Sequence, residues 1–86
     1  MGRAHMDPGT VSVPHHHGDA ETAGYVISGH CRISYGPAFG EYVDFGPGDF
    51  VFVPANYPHI EANLSATEPV DFITARSPDN TVINLA

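Results

Sequence analysis

A chain of 86 residues is one domain with one small core, able to bury about 60–65% of the surface its unfolded form exposes. Nine Gly and eight Pro leave no stretch free of both longer than His59–Glu68, so a helical bundle is excluded and short strands between breaks are expected. Ten Asp and Glu against Arg3, Arg32 and Arg76 give a formal charge of −7, which disfavours nucleic acid and anionic membrane as partners.

In chain order, residues 1–8 are a lead-in without periodic pattern, Arg3–Met6 being either native or a cloning remnant, and residues 9–86 are one domain. The pattern places strands at Thr10–Val13, Glu21–Ser28, His30–Tyr35, Glu41–Phe45, Asp49–Val53, His59–Leu64, Val70–Arg76 and Thr81–Leu85. Their ends coincide with Pro14, Gly29, Gly36-Pro37, Gly46-Pro47-Gly48 and Pro54. Short strands at this spacing pack as two facing sheets or as a sheet closed on itself, an all-β fold. Phe39, Phe45, Phe50 and Phe52 are the expected aromatic core, and Asp49 and Asn56 the expected turn residues.

Cys31 has no partner for an intrachain disulfide and reads as a small apolar strand residue. No signal-peptide pattern or run long enough to span a membrane occurs, so the expected location is the cytoplasm.

Six His are present, three of them contiguous at His15-His16-His17. In an extended segment His15 and His17 point to one side, which is chelate geometry for one ion. The alternative is a pair of surface histidines, and a metal requires a third ligand from elsewhere. His59, at the start of a strand, suits that role, whereas His5 and His30 read as surface residues. Glu21 and Glu61 are the carboxylates that could complete the set, which would suit Fe, Mn, Ni, Cu or Zn. Period two puts His59, Glu61 and Asn63 on one face of their strand and Ile60, Ala62 and Leu64 on the other. If the polar face points inward it makes a site, and the apolar face then needs cover from another layer or subunit. A homodimer is the expectation.

These residues resemble the two motifs of the small single-domain cupins. The first, G(X)5HXH(X)3-4E(X)6G, is matched by Gly9, His15, His17, Glu21 and Gly29, and the second, G(X)5PXG(X)2H(X)3N, by Gly48, Pro54, His59 and Asn63. The resemblance implies a double-stranded β-helix, or jelly roll, shortened at its N-terminus, with one divalent metal at the barrel mouth. It implies His15, His17 and His59 as ligands with Glu21 as the fourth. Glu61, on the same strand face as His59, is the candidate for a neighbouring acid/base group. Such a protein is expected to act on a small molecule, as a dioxygenase-type enzyme or as a Zn or Mn Lewis-acid isomerase, cyclase or lyase. A non-catalytic ligand-binding module is the rival class. The chain departs from the motifs at two points. Asn56 stands where the family has Gly, and seven residues rather than six separate Glu21 from Gly29, so that Thr22 competes with Glu21 for the inward position. General-base use of Glu61 would need a pocket that raises its pKa toward neutrality.

Overall fold

In the computed structural model of the chain, which describes residues 1–77 and 83–85, the Gly and Pro breaks separate strands as the sequence implies. The strands are β1 (Gly2–Met6), β2 (His15–His16), β3 (Glu21–Ser28), β4 (Cys31–Tyr35), β5 (Glu41–Phe45), β6 (Phe50–Val53), β7 (Ile60–Ala62), β8 (Val70–Ser77) and β9 (Ile83–Asn84). One 3-10 turn covers Pro37–Phe39. Of the expected last strand, Thr81 and Val82 lie outside the described residues. The lead-in, which shows no hydrophobic period, contains β1, paired with β8 from Gly2↔Thr74 to Met6↔Val70.

One antiparallel sheet has the order β1-β8-β3-β6, and a second has the order β5-β4-β7. The ribbon β2-β9 joins the second sheet where His15 bridges His59, next to β7. Two facing sheets of this kind are a jelly roll, and the fold is all-β. The Thr10–Val13 segment runs beside β7 through Ser12 N to Glu61 O (2.8 Å) and Asn63 N to Thr10 O (2.9 Å), with a bridge at Val11↔Ala62.

Burial alternates strictly along the start of β3, with Thr22, Gly24 and Val26 inward and Glu21, Ala23 and Tyr25 outward. The interior is small and half polar. Among the described residues the buried apolar side chains are Ala20, Val26, Val53, Ala62 and Val70, and the buried polar ones are His15, His17, Thr22, His59 and Asn63. Phe50 and Phe52 do not belong to the core, being 78% and 60% exposed. The parity of β6 turns Val51 and Val53 toward the facing sheet and leaves the two Phe on the other side, where Phe50 meets Tyr25 at a ring distance of 4.9 Å.

Asn63 ties the N-terminal segment to the loop before β8. Its Nδ2 donates to the carbonyls of Glu68 (2.7 Å), Met6 (3.3 Å) and Asp7 (3.3 Å), and its Oδ1 accepts from Ser65 N (3.1 Å). Gly29 closes the turn from β3 to β4 at φ +81, where a Cβ would overlap the Pro69 carbonyl oxygen and lie 2.9 Å from Val70 Cα. Backbone on both sides leaves nothing to move aside. Gly29→Ala is therefore expected to cost about 3 kcal/mol and to lower the melting temperature by roughly 12–24 °C, read by thermal unfolding followed by circular dichroism. A drop of under about 4 °C would show that the β3–β4 turn relaxes freely.

Candidate metal centre

The site is assembled by backbone pairing. His15 and His59 exchange both backbone hydrogen bonds, N to O at 3.1 and 2.9 Å, so they stand directly opposite each other. Residues opposite each other on antiparallel strands present their side chains on one face. The ring centroids of His15 and His59 are accordingly 4.4 Å apart. Between the Val11↔Ala62 and His15↔His59 bridges the register slips by one residue. Pro14, which has no N–H to place in a ladder, lies within that slip. Without it His15 would fall opposite Pro58 and face away from the His59 ring.

Alternation then brings in the others. His17, two residues past His15, sets its ring 5.1 Å from His15 and 5.2 Å from His59. Glu61, two residues past His59, places Oε1 3.3 Å from His59 Nε2 and 3.9 Å from His15 Nε2. One ligand atom from each of His15, His17, His59 and Glu61 lies within 4.8 Å of all the rest. The loop after His17 is held by Asn56, whose N–H donates to Gly18 O at 2.7 Å and whose Nδ2 donates to Asp19 Oδ1 at 3.2 Å. Asn56 has φ 55, the left-handed conformation its position requires.

Two tautomers are fixed by carbonyl partners. His15 Nδ1 donates to Val13 O at 2.9 Å and His59 Nδ1 to Tyr57 O at 2.8 Å. A carbonyl can only accept, so each Nδ1 carries the proton and each neutral ring turns a bare Nε2 lone pair inward. His59 Nε2 is buried, and its contact with Glu61 lacks hydrogen-bond alignment. Three imidazoles and a carboxylate converging in this way could hold a divalent metal ion at about 2.0–2.2 Å per donor.

Burial works to lower the His59 pKa, but the adjacent Glu61 carboxylate and the Tyr57 carbonyl outweigh it and hold the ring above the usual histidine value. Burial likewise works to raise Glu61, and His59, His15 and His17 outweigh it, holding the carboxyl below the usual range. Glu61 is thus a carboxylate at neutral pH, a state suited to binding a cation. The raised pKa that a general base would need is not what these surroundings produce.

Glu21 is not brought to the cluster. It is exposed and pairs with Ser77, while the next residue, Thr22, is buried and accepts a hydrogen bond from Arg76 Nε at 3.1 Å. The register is unbroken through Glu21 and Thr22, and the irregularity of β3 falls between Val26 and Ser28, too late to turn Glu21 inward. The polar face of His59, Glu61 and Asn63 points into the barrel, with His59 and Asn63 fully buried. His5 and His30 stay outside, His5 hydrogen-bonded to Asp71 and Asp7. Asp49 serves its turn, accepting from Gly46 N at 2.8 Å. Two cavities flank the cluster. One of about 30 Å³ reaches Glu61, Thr22 and Arg76, and one of about 280 Å³, between β5 and β6, reaches His59.

A jelly roll carrying a His/Glu cluster on its inner face defines a class of metal-site β-barrels, and family comparison makes the assignment specific. The Cupin domain model matches residues 2–76, and the chain belongs to that family. No curated protein matches the chain. Among solved structures it is similar to an uncharacterised double-stranded β-helix protein from Klebsiella pneumoniae, with TM-score 0.79 and 23% identity over 95% of this chain and 70% of that one. It is similar to a polyketide cyclase from Streptomyces resistomycificus, with TM-score 0.77 and 25% identity over 98% of this chain and 58% of the cyclase. Similarity to the DMSP lyase from Ruegeria pomeroyi has TM-score 0.78 at 20% identity, over 96% of this chain and 41% of the lyase. The chain therefore spans little more than half the cyclase and less than half the lyase.

Cys31 lies beside the cluster on β4. Burial, followed by the charges of Glu61 and Asp44, pushes its thiol up to about 11. At pH 8 about one molecule in a thousand then carries the thiolate. Alkylation of the folded protein by iodoacetamide at pH 8 should be on the order of a hundredfold slower than that of free cysteine, followed by mass spectrometry. Reaction at the free-thiol rate would place Cys31 in water.

Proposed function

We propose that the protein is a small-molecule metalloenzyme in which His15, His17, His59 and Glu61 hold one divalent transition metal, Fe, Mn, Ni, Cu or Zn. The observation that carries the reading is the convergence of four donor atoms within 4.8 Å, three of them from buried histidines. When bound, a redox-active ion supplies dioxygen activation of the dioxygenase type, and Zn or Mn supplies Lewis-acid polarisation of a substrate oxygen.

The residues of the chain do the rest. The carbonyls of Val13 and Tyr57 hold the His15 and His59 rings so that Nε2 is the donor atom in each. Glu61, ionised, contributes the single negative charge of the set. It thus takes the ligand place that the resemblance gave to Glu21. The walls of the barrel exclude water from the His59 ring, which has no exposed surface. Four protein donors leave room on a five- or six-coordinate ion for a substrate oxygen. The Lewis-acid reading, as a cyclase, isomerase or lyase, draws support from the similarity to a polyketide cyclase over 98% of the chain.

The purified protein should contain, after reconstitution, about one equivalent of a transition metal by elemental analysis. His59→Ala should reduce this below about a tenth, Glu61→Gln should weaken affinity by about 10–100-fold, and Glu21→Ala should leave it unchanged. Metal-free wild type, or a His59→Ala variant with full metal content, would defeat the ligand set. Oxygen consumption with enols, catechols and thiols then separates the two chemistries.

A homodimer also belongs to this reading. Val11, Val13 and Leu64 are 61%, 47% and 60% exposed on the segments that flank Ala62, and Phe50 and Phe52 add apolar surface on the other sheet. Sedimentation at micromolar concentration is expected to give twice the chain mass, and a monomer would count against a partner on this surface.

A further inference from the structure

The larger cavity says more about the substrate than the donor set does. It lies between β5 and β6, which belong to different sheets and are each paired on one side only. At about 280 Å³ it lies just under the usual range of ligand pockets, roughly 300–1,000 Å³. Its walls include Tyr35, Phe45, Val43, Val53 and Tyr57, with the Tyr35 and Tyr57 rings 6.0 Å apart, and it reaches His59. No Arg, Lys, Asp or Glu lines it. Arg76 lies instead on the cavity of about 30 Å³, which has room for about one water, on the far side of a wall that includes Val53.

We infer that the cleft takes the body of an uncharged, flat apolar substrate, an aromatic ring system carrying a hydroxyl or keto oxygen, with that oxygen directed to the His15, His17, His59 and Glu61 cluster. The oxygen's destination rests on the proposed metal site; the place of the ring body rests on the cleft alone. Tyr35, Phe45 and Tyr57 offer edges and faces to a planar ring, an arrangement that adds to simple burial. Away from the proposed metal, a small dianion would lose its water against walls that hold no Arg or Lys, so the body of the cleft favours an uncharged group. The formal charge of −7 pushes in the same direction. His59 is the member of the cluster that the cleft reaches, so a substrate oxygen at that end meets the proposed site.

Isothermal titration calorimetry of the metal-loaded and chelator-treated protein with 2-naphthol, naphthalene and oxalate tests this. Naphthol is expected to bind saturably at about one per chain, oxalate to give no saturable heat, and naphthalene to bind both protein forms. Tyr57→Ala, at a part-exposed rim position, and Val43→Glu, which puts a charge into the wall, should each weaken naphthol by about tenfold or more while metal content stays at the wild-type level. Loss of the metal site with naphthalene binding intact would overturn the metal reading and leave the cleft assignment standing. Full metal content with no naphthol or naphthalene binding would overturn the cleft assignment alone. It would also be overturned by oxalate binding more tightly than naphthol, by both variants binding naphthol like wild type, or by a second copy of the chain shielding Val43 and Tyr57 in a dimer.

Discussion

The site depends on one pair of backbone hydrogen bonds, those between His15 and His59 at 2.9 and 3.1 Å. They set the two residues opposite each other, and strand geometry then dictates the rest. His17 follows His15 by two residues, Glu61 follows His59 by two, and all four side chains converge. The one-residue slip around Pro14 is what makes the pairing possible, since the register at Val11↔Ala62, continued without interruption, would have put His15 and His59 on opposite faces. Bulges beside functional sites commonly re-aim side chains in this way. The carbonyls of Val13 and Tyr57, each two residues before the histidine it anchors, belong to the same local geometry.

A barrel that spends its interior on imidazoles has little left for an apolar core. Among the described residues His59 is the largest fully buried side chain, and the buried apolar set contains nothing larger than Val. Chain closure falls to polar and backbone devices. Asn63, fully buried, joins the N-terminal segment, through the Met6 and Asp7 carbonyls, to the loop before β8, through Glu68 and Ser65. A buried amide satisfied on both its nitrogen and its oxygen is a stabilising crosslink. The glycine at position 29 completes the closure by letting β3 turn against Pro69 and Val70 at backbone contact.

What the sequence made legible was whatever is local. The bounds expected for Glu21–Ser28 and Glu41–Phe45 are those of β3 and β5, because Gly and Pro end strands through their own φ preferences and missing donors. The convergence of His15, His17 and His59 was legible as well, through the fixed spacing of both motifs. The misplaced residues all turn on pairings between distant segments. β1 escaped because an edge strand whose burial follows no clear alternation has no hydrophobic period to read. Phe50 and Phe52 were assigned by hydrophobicity, whereas the pairing of β6 with β3 decides that Val51 and Val53 face in. Glu21 was a parity question that the continuous ladder of β3 with β8 answers in favour of Thr22. That Glu61 meets the histidines follows from period two once the inward face of its strand is known, and period two alone could not name that face.

With Glu61 rather than Glu21 beside the three histidines, the architecture of the candidate site differs from the one the motifs imply. A carboxylate at the inward position of β3 would have made the cluster span both sheets. As built, all four groups come from the two adjoining segments around His15–His17 and His59–Glu61, joined by the His15↔His59 bridge. The facing sheet contributes Thr22, tied to Arg76, and apolar side chains such as Val26 and Val53. Donors held by one hydrogen-bonded pair of segments keep their spacing even if the two sheets shift relative to each other. On the proposed reading, residues elsewhere in the barrel can then vary without disturbing the ligand set. That division fits a fold whose members share a barrel and differ in what they act on.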